Sequence, residues 1–171
     1  MAQAMLSTIA RNRGVDASVA SAGLVVGGAP LPVETRDALA AMGLTGSGLN
    51  EFRSHQLTVG LVTGAELILG LSREHVREII VRVPDAWDRT YTLKELVRRG
   101  SAVARRGPRE DLTHWLTRVG IDRDRADLLG ESPVDDVTDP IGRLPQAFDQ
   151  TALEIRDLCF ALAQLLWPGM G

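Results

Sequence analysis

The chain has one cysteine, Cys159, in 171 residues, so it forms no internal disulfide and a reducing, cytoplasmic setting is expected. Aromatic residues are only 4% of the total, which leaves the core to Leu, Val, Ile and Ala. A basic surplus is also lacking. Twenty-two acidic side chains against nineteen basic ones give a net charge of −3, which argues against nucleic acid as a partner. Lys94 is the only lysine, and the arginine bias reads as genome composition rather than function. No apolar run approaches the roughly 18 residues of a membrane span, and the longest, "LCFALAQLLW", is broken by Gln164. The N-terminus carries no basic stretch followed by an apolar one, so neither a secretion signal nor a membrane partner is expected.

What is present is globular: 44% hydrophobic and 24% charged residues, in a length that suits a single domain over residues 1–171. "MAQAMLSTIARNRG" has helical spacing with a stop at Gly14. Ala17 to Leu24 reads as a short strand. Pro32 suits a first helical turn, Glu34 and Asp37 complement the helix dipole, and the helix runs to Gly43. Residues 44–56 read as a polar loop, and a short helix follows from Thr58. Ala65 to Leu71 is the clearest buried strand. Ser72 caps a helix stopped by Pro84, "WDRTYTL" alternates as a strand, and "KELVRR" is a helix closed by Gly100. Residues 100–110 look mobile, and a helix around 110–119 leads into an acidic, turn-rich stretch. In the last helix, Gln146 to Trp167, the residues Phe148, Ala152, Ile155, Cys159, Leu162 and Leu166 form a core-facing stripe. Alternating strands and helices predict an α/β fold in three layers, with a mostly parallel sheet covered on both faces.

Site motifs are scarce. There is no G-x-x-x-x-G-K-[ST] loop, no G-x-G-x-x-G and no G-x-S-x-G elbow. His55, His75 and His114 are scattered, so no metal site is expected. Cys159, inside the helical stripe, reads as a small apolar residue with an ordinary pKa. His75 reads as part of a helix-capping turn. The five arginines 98, 99, 105, 106 and 109 read as a solvated, flexible segment. Asp135, Asp136 and Asp139 read, on the residues alone, as a turn before the last helix.

Taken in order, "SAGL", a proline-rich helix start, "FRSHQLT", "AELILGLSREHV" and "DVTDPIG" resemble the low-molecular-weight protein-tyrosine-phosphatase family over most of the chain. "WDRTYTLKELVR" is similar to actinobacterial members. The resemblance implies a four-stranded parallel sheet flanked by helices and a metal-free, cofactor-free two-step hydrolysis of phosphomonoesters. A cysteine thiolate in a C-x5-R loop attacks phosphorus while backbone N–H groups and the loop arginine hold the oxygens. An aspartic acid protonates the leaving oxygen, and water then cleaves the phosphocysteine. Asp139, in its Asp-Pro pair, matches that general acid. Ser21, in "SAG", falls where a hydroxyl orders the phosphate loop. His55 lies in the 46–55 loop, which matches a wall of the substrate cleft. The partner implied is a phosphorylated protein or a small phosphomonoester.

Two departures stand out. Where many members carry an aromatic residue after "DP", this chain has Ile141, which opens phosphoarginine or a small-molecule phosphate as alternatives to phosphotyrosine. The C-x5-R loop, with its nucleophile and phosphate-holding arginine, is absent, since Leu165 stands six residues after Cys159. "MAQAML" resembles the "SPMA" string that follows the loop in the family, so the opening strand, cysteine and arginine are expected upstream of a mis-assigned Met1. Removing an interior strand with even four buried Val or Leu residues costs on the order of 1.5–3 kcal/mol each, which rivals a domain's total stability of roughly 5–15 kcal/mol. The alternatives are a catalytically inactive binding module that keeps its cleft and a decayed remnant.

Overall fold

The computed structural model describes residues 1–25 and 27–169, with Ser47 described by its backbone alone. The order of elements is mixed α/β, as expected, and it divides into two compact units.

One unit comprises Met1–Leu57 and Thr138–Phe160. Helix α1, Ala2–Asn12, buries Met5, Leu6, Ile9 and Ala10 and ends at Gly14, whose φ of +66° lets the chain turn back. Helix α2, Val33–Ala41, starts directly after Pro32 with Glu34 in its first turn. The expected polar loop 44–56 contains a third helix, α3, Ser47–Glu51. The strand expected over Ala17 to Leu24 does not form. Val15, Ala17 and Val19 are half-buried while Asp16, Ser18 and Ala20 are exposed, which is strand-like alternation without a ladder. Only Gly23 pairs, in a single parallel bridge with Gln56. A strand needs a neighbouring strand to satisfy its backbone, and among the described residues of this unit 15–22 have none.

The other unit comprises Thr58–Val137 and residues 161–169. Helix α4, Val59–Gly64, is capped by Thr58, whose hydroxyl accepts from Leu61 N at 3.3 Å. Strands β1, Ile68–Gly70, and β2, Thr90–Thr92, pair in parallel, with Ile68 opposite Thr90 and Gly70 opposite Thr92. The sheet thus has two strands among the described residues rather than the family's four. Both are shorter than the sequence pattern indicates. Pro84–Arg89 coils into a 3₁₀ helix and takes the first half of "WDRTYTL" out of the strand.

Helix α5, Arg73–Arg82, buries Val76, Ile79 and Ile80, and Ser72 accepts from His75 N as expected. Helix α6, Leu93–Val103, opens with a reciprocal capping box between Thr92 and Glu95. It does not stop at Gly100 but runs through it. A Cβ there would meet Leu165 at 2.9 Å and Trp115 at 3.0 Å, so this glycine serves close packing rather than termination. Helix α7, Leu112–Val119, buries Trp115, Leu116 and Val119. Arg123 stacks on the rings of Trp87 and Tyr91, 3.9 and 3.8 Å from their centroids, and pairs with Glu95 at 2.8 Å.

Residues 100–110 are not the mobile segment the sequence suggests. Arg106 N donates to Leu165 O, Trp115 Nε1 donates to Ala104 O, and Glu110 accepts from Gly107 N and Arg118. Of the five arginines read as solvated, Arg98 is paired with Asp135, Arg99 with Glu95, and Arg106 with Glu110 O.

Helix α8, Pro145–Leu166, contributes to both units, and its six-residue stripe from Phe148 to Leu166 is buried throughout. Among the described residues no helix is long and apolar enough to cross a membrane.

Candidate active site

Asp139, Ser21, His55 and Ile141 all fall in the unit built from Met1–Leu57 and Thr138–Phe160. Asp139 sits in the turn that precedes α8. Its Oδ1 accepts from Ile141 N at 2.9 Å, and Arg143 N donates to Pro140 O at 3.0 Å to complete the turn. The side chain is exposed, and Oδ2 has no hydrogen-bond partner among the described residues. One carboxylate oxygen is thus fixed by the backbone while the other faces solvent. That arrangement suits a group that must carry and release a proton. The turn is anchored behind Asp139, where Thr151 Oγ1 donates to Thr138 O at 3.2 Å.

Its two acidic neighbours do different work. Asp135 is buried and pairs with Arg73 and Arg98, each at 2.8 Å. Asp136 accepts from Arg73 N and Ser132 N, both at 2.7 Å, so it caps the start of α5. Burial alone would raise the Asp135 carboxyl. Hydrogen bonds from Arg98 and Arg73 outweigh it and hold the group below the ordinary carboxylate value. The turn reading thus fits Asp139, whose Oδ1 closes the turn before α8, while Asp135 and Asp136 tie their segment to Arg73, Arg98 and Ser132; Asp139 is the exposed one of the three.

Ser21 donates to Gln3 Oε1 at 2.6 Å, and Gln3 Nε2 donates to Val19 O at 3.2 Å. The hydroxyl thus holds a side chain in the first turn of α1. His55 is exposed, and its part is played by the backbone, where His55 O accepts from Gly23 N at 2.8 Å. Around it, residues 23–30 are laced to 53–57. Gly28 N donates to Ser54 O, Ser54 N to Ala29 O, Ala29 N to Ser54 Oγ, and Leu57 N to Gly23 O. Gly27 is the tight point. A Cβ there would lie 2.7 Å from Ser54 O and 3.0 Å from Gln56 N. Ile141 is 71% exposed and unpacked. No hydrogen bond joins Asp139 to Ser21 or His55.

Sequence reasoning missed Gln3, Gly27 and Ser54. The "GG" pair and the serine in "FRSH" were the available signals, but pairing over such a separation is not visible in a linear pattern.

Cys159 is fully buried, and burial pushes its thiol up to about 12, so the expectation of an ordinary pKa is corrected. A thiol held neutral in a core is no nucleophile. Among the described residues no group of three or more His, Cys, Asp or Glu is placed to hold a metal ion.

A family model described as low molecular weight phosphotyrosine protein phosphatase matches residues 1–105. The chain belongs to that family. Ser21 and His55 fall inside the matched stretch, whereas Asp139 and Ile141 lie beyond it. Among solved structures, the low molecular weight protein tyrosine phosphatase from T. tengcongensis superposes with a TM-score of 0.70 at 22% identity, over 96% of this chain and 88% of that one. The YwlE arginine phosphatase from Geobacillus stearothermophilus gives 0.64 at 21% identity, over 95% and 83%. Vibrio vulnificus Wzb, in complex with benzylphosphonate, gives 0.66 at 18% identity, over 96% and 88%. These likenesses establish the phosphatase family's α/β fold. No curated protein sequence matches the chain.

Proposed function

We propose that the protein is a phosphomonoester hydrolase of its family, built as one domain over residues 1–171, with Asp139 as the general acid. The observation that carries the reading is the Asp139 carboxylate, with Oδ1 held by Ile141 N and Oδ2 left open. In the reaction a thiolate of a C-x5-R loop displaces the leaving oxygen from phosphorus. Asp139 delivers its proton to that oxygen as the P–O bond breaks, and its carboxylate then takes a proton from the water that cleaves the phosphocysteine. No metal or cofactor takes part. Ser21 steadies the first turn of α1 through Gln3, and the 46–55 segment with His55 lines the substrate cleft, locked to residues 23–30.

The substrate is a phosphorylated protein or a small phosphomonoester in the cytoplasm. Ile141 offers no ring to stack on phosphotyrosine, which favours a non-aromatic phosphoresidue. The likeness to an arginine phosphatase supports phosphoarginine as the first substrate to try; there the bond that breaks is P–N rather than P–O, and the Asp139 proton goes to the leaving guanidine nitrogen.

Residues 1–171 contain no C-x5-R, and the buried Cys159 cannot replace it. These residues therefore supply the acid and the cleft but no nucleophile. That observation favours a second reading, a phosphatase-like module that binds phosphorylated ligands without turnover. The test is release of inorganic phosphate from aryl phosphates by purified 1–171. The expected result is none above the buffer rate. Hydrolysis abolished by Asp139→Ala would mean that the chain carries another nucleophile.

A further inference from the structure

The acid turn has little of its own to hold it in place. From Thr138 to Leu144 every residue is exposed except the half-buried Pro140, so no packed apolar side chain fixes the segment. Two of its hydrogen bonds are local. Ile141 N donates to Asp139 Oδ1, and Arg143 N donates to Pro140 O. Such bonds shape the turn but do not fix where it sits. A further bond comes from α8, where the buried Thr151 donates from Oγ1 to Thr138 O at 3.2 Å. A threonine inside a helix ordinarily turns its hydroxyl to a carbonyl one helical turn back along its own helix. Thr151 instead commits it to the turn. Its base is firm, because Phe148, Ala152 and Ile155 beside it on α8 are all buried.

We propose that Thr151 is the positioning residue of the acid: by holding the Thr138 carbonyl it fixes the peptide plane from which Asp139 projects. That planar unit runs from the Thr138 Cα to the Asp139 Cα, so anchoring its oxygen places the backbone atom that carries the carboxyl. The acid is then held at two points. Thr151 holds the backbone behind it, and Ile141 N holds Oδ1, which leaves Oδ2 to meet the leaving group. Positioning of this kind acts on rate, since a displacement of about 1 Å can cost on the order of 10²-fold. This role rests on the reading of Asp139 as the general acid.

The experiment compares Thr151→Val, which keeps the shape and removes the hydroxyl, with Thr151→Ser, which keeps the hydroxyl. NMR of isotope-labelled 1–171 follows the Ile141 amide as the Asp139 carboxyl ionises, a step that draws this amide downfield. In Thr151→Val that displacement should shrink by about half and exchange of the Ile141 amide should quicken roughly fivefold. The amides of Ile155 and Cys159 should not change, and Thr151→Ser should behave as wild type. With the family's strand and C-x5-R loop joined in front of Met1, turnover can be read as well. Thr151→Val should then lose roughly fivefold of kcat/KM on phenyl phosphate and little on p-nitrophenyl phosphate. An Ile141 amide unmoved in Thr151→Val, a loss shared by Thr151→Ser, changes spread along α8, or equal turnover losses on the two phosphates would overturn the assignment. If Asp139→Asn showed no leaving-group dependence, the acid reading would fall by itself, and the Ile141 amide would still decide whether Thr151 fixes the turn.

Discussion

Arg73 donates twice to one oxygen of Asp135, from Nε at 3.2 Å and from Nη2 at 2.8 Å. Arg98 takes the other oxygen at 2.8 Å, so this carboxylate spends both oxygens on ion pairs while buried. Removing one partner of such a set leaves cations without their counter-charge, and that costs more than the pair contributes. Arg98 is half exposed, which moderates the loss. Asp135→Asn should destabilise the fold by about 2 kcal/mol in denaturant titrations. A change of only a few tenths would show that the triad is ornamental.

The same group sets a pH dependence. Its folded pKa lies below the unfolded value, so the unfolded chain binds the extra proton as pH falls. The stabilisation is fully present above the ordinary aspartate pKa, about 4, and is lost as pH drops through the lowered folded value. Acid unfolding of Asp135→Asn should therefore show a shallower loss below that point than the wild type. Parallel curves would remove Asp135 from the linkage.

Gly27 and Gly23 differ in what surrounds them. A Cβ at Gly27 meets backbone atoms at 2.7 and 3.0 Å, whereas one at Gly23 has nothing within 4 Å. Gly27→Ala should cost roughly 1–3 kcal/mol, because backbone and not a flexible side chain must move. Gly23→Ala should be close to neutral. Equal thermal shifts in the two variants would contradict the tight lacing of residues 23–30 to 53–57.

Ala104 holds φ 84° and ψ 152°, a region that costs a residue with a Cβ about 1–3 kcal/mol. Its carbonyl is held there by Trp115 Nε1 at 3.1 Å. Ala104→Gly should relieve that strain and, after the entropy glycine adds to the unfolded chain, stabilise by about 1 kcal/mol. Ala102→Gly, in the exposed helix two residues earlier, should destabilise by a similar amount. A lower melting temperature in both variants would show that Ala104 is not strained.

Cys159 should resist alkylation. With its thiol pushed up to about 12, about one in ten thousand is ionised at pH 8. Iodoacetamide should label it only on unfolding, and native labelling at the rate of a free cysteine would refute the burial.

Much of this was legible because it is local. The α8 stripe, the Ser72 cap, the short helix following Thr58 and the helix start at Pro32 each depend on residues within a turn or two, and all appear where the spacing places them. What was not legible is non-local. The strand pattern of Ala17 to Leu24 is real in its alternation, yet a ladder depends on what lies beside it, and only Gly23 finds a partner. Gly100 reads as a stop until Leu165 and Trp115 are seen pressing on it. The arginines of 98–106 read as solvated because Asp135, Leu165 and Glu110 come to them from elsewhere in the chain. At the site, the resemblance singled out Asp139 while the geometry of its turn, with Oδ1 engaged and Oδ2 open, came only from the fold.

The most direct measurement concerns Asp139. A strand and C-x5-R loop of the family, joined in front of Met1, would supply the nucleophile, and hydrolysis of phenyl phosphate and p-nitrophenyl phosphate would be compared in this chain and in its Asp139→Asn variant. A general acid matters most for the poorer leaving group. The variant should therefore lose roughly 10²-fold or more of kcat/KM, which reports the leaving-group step alone, on phenyl phosphate and markedly less on p-nitrophenyl phosphate. Equal losses on the two substrates, or none on either, would contradict Asp139 as the proton donor.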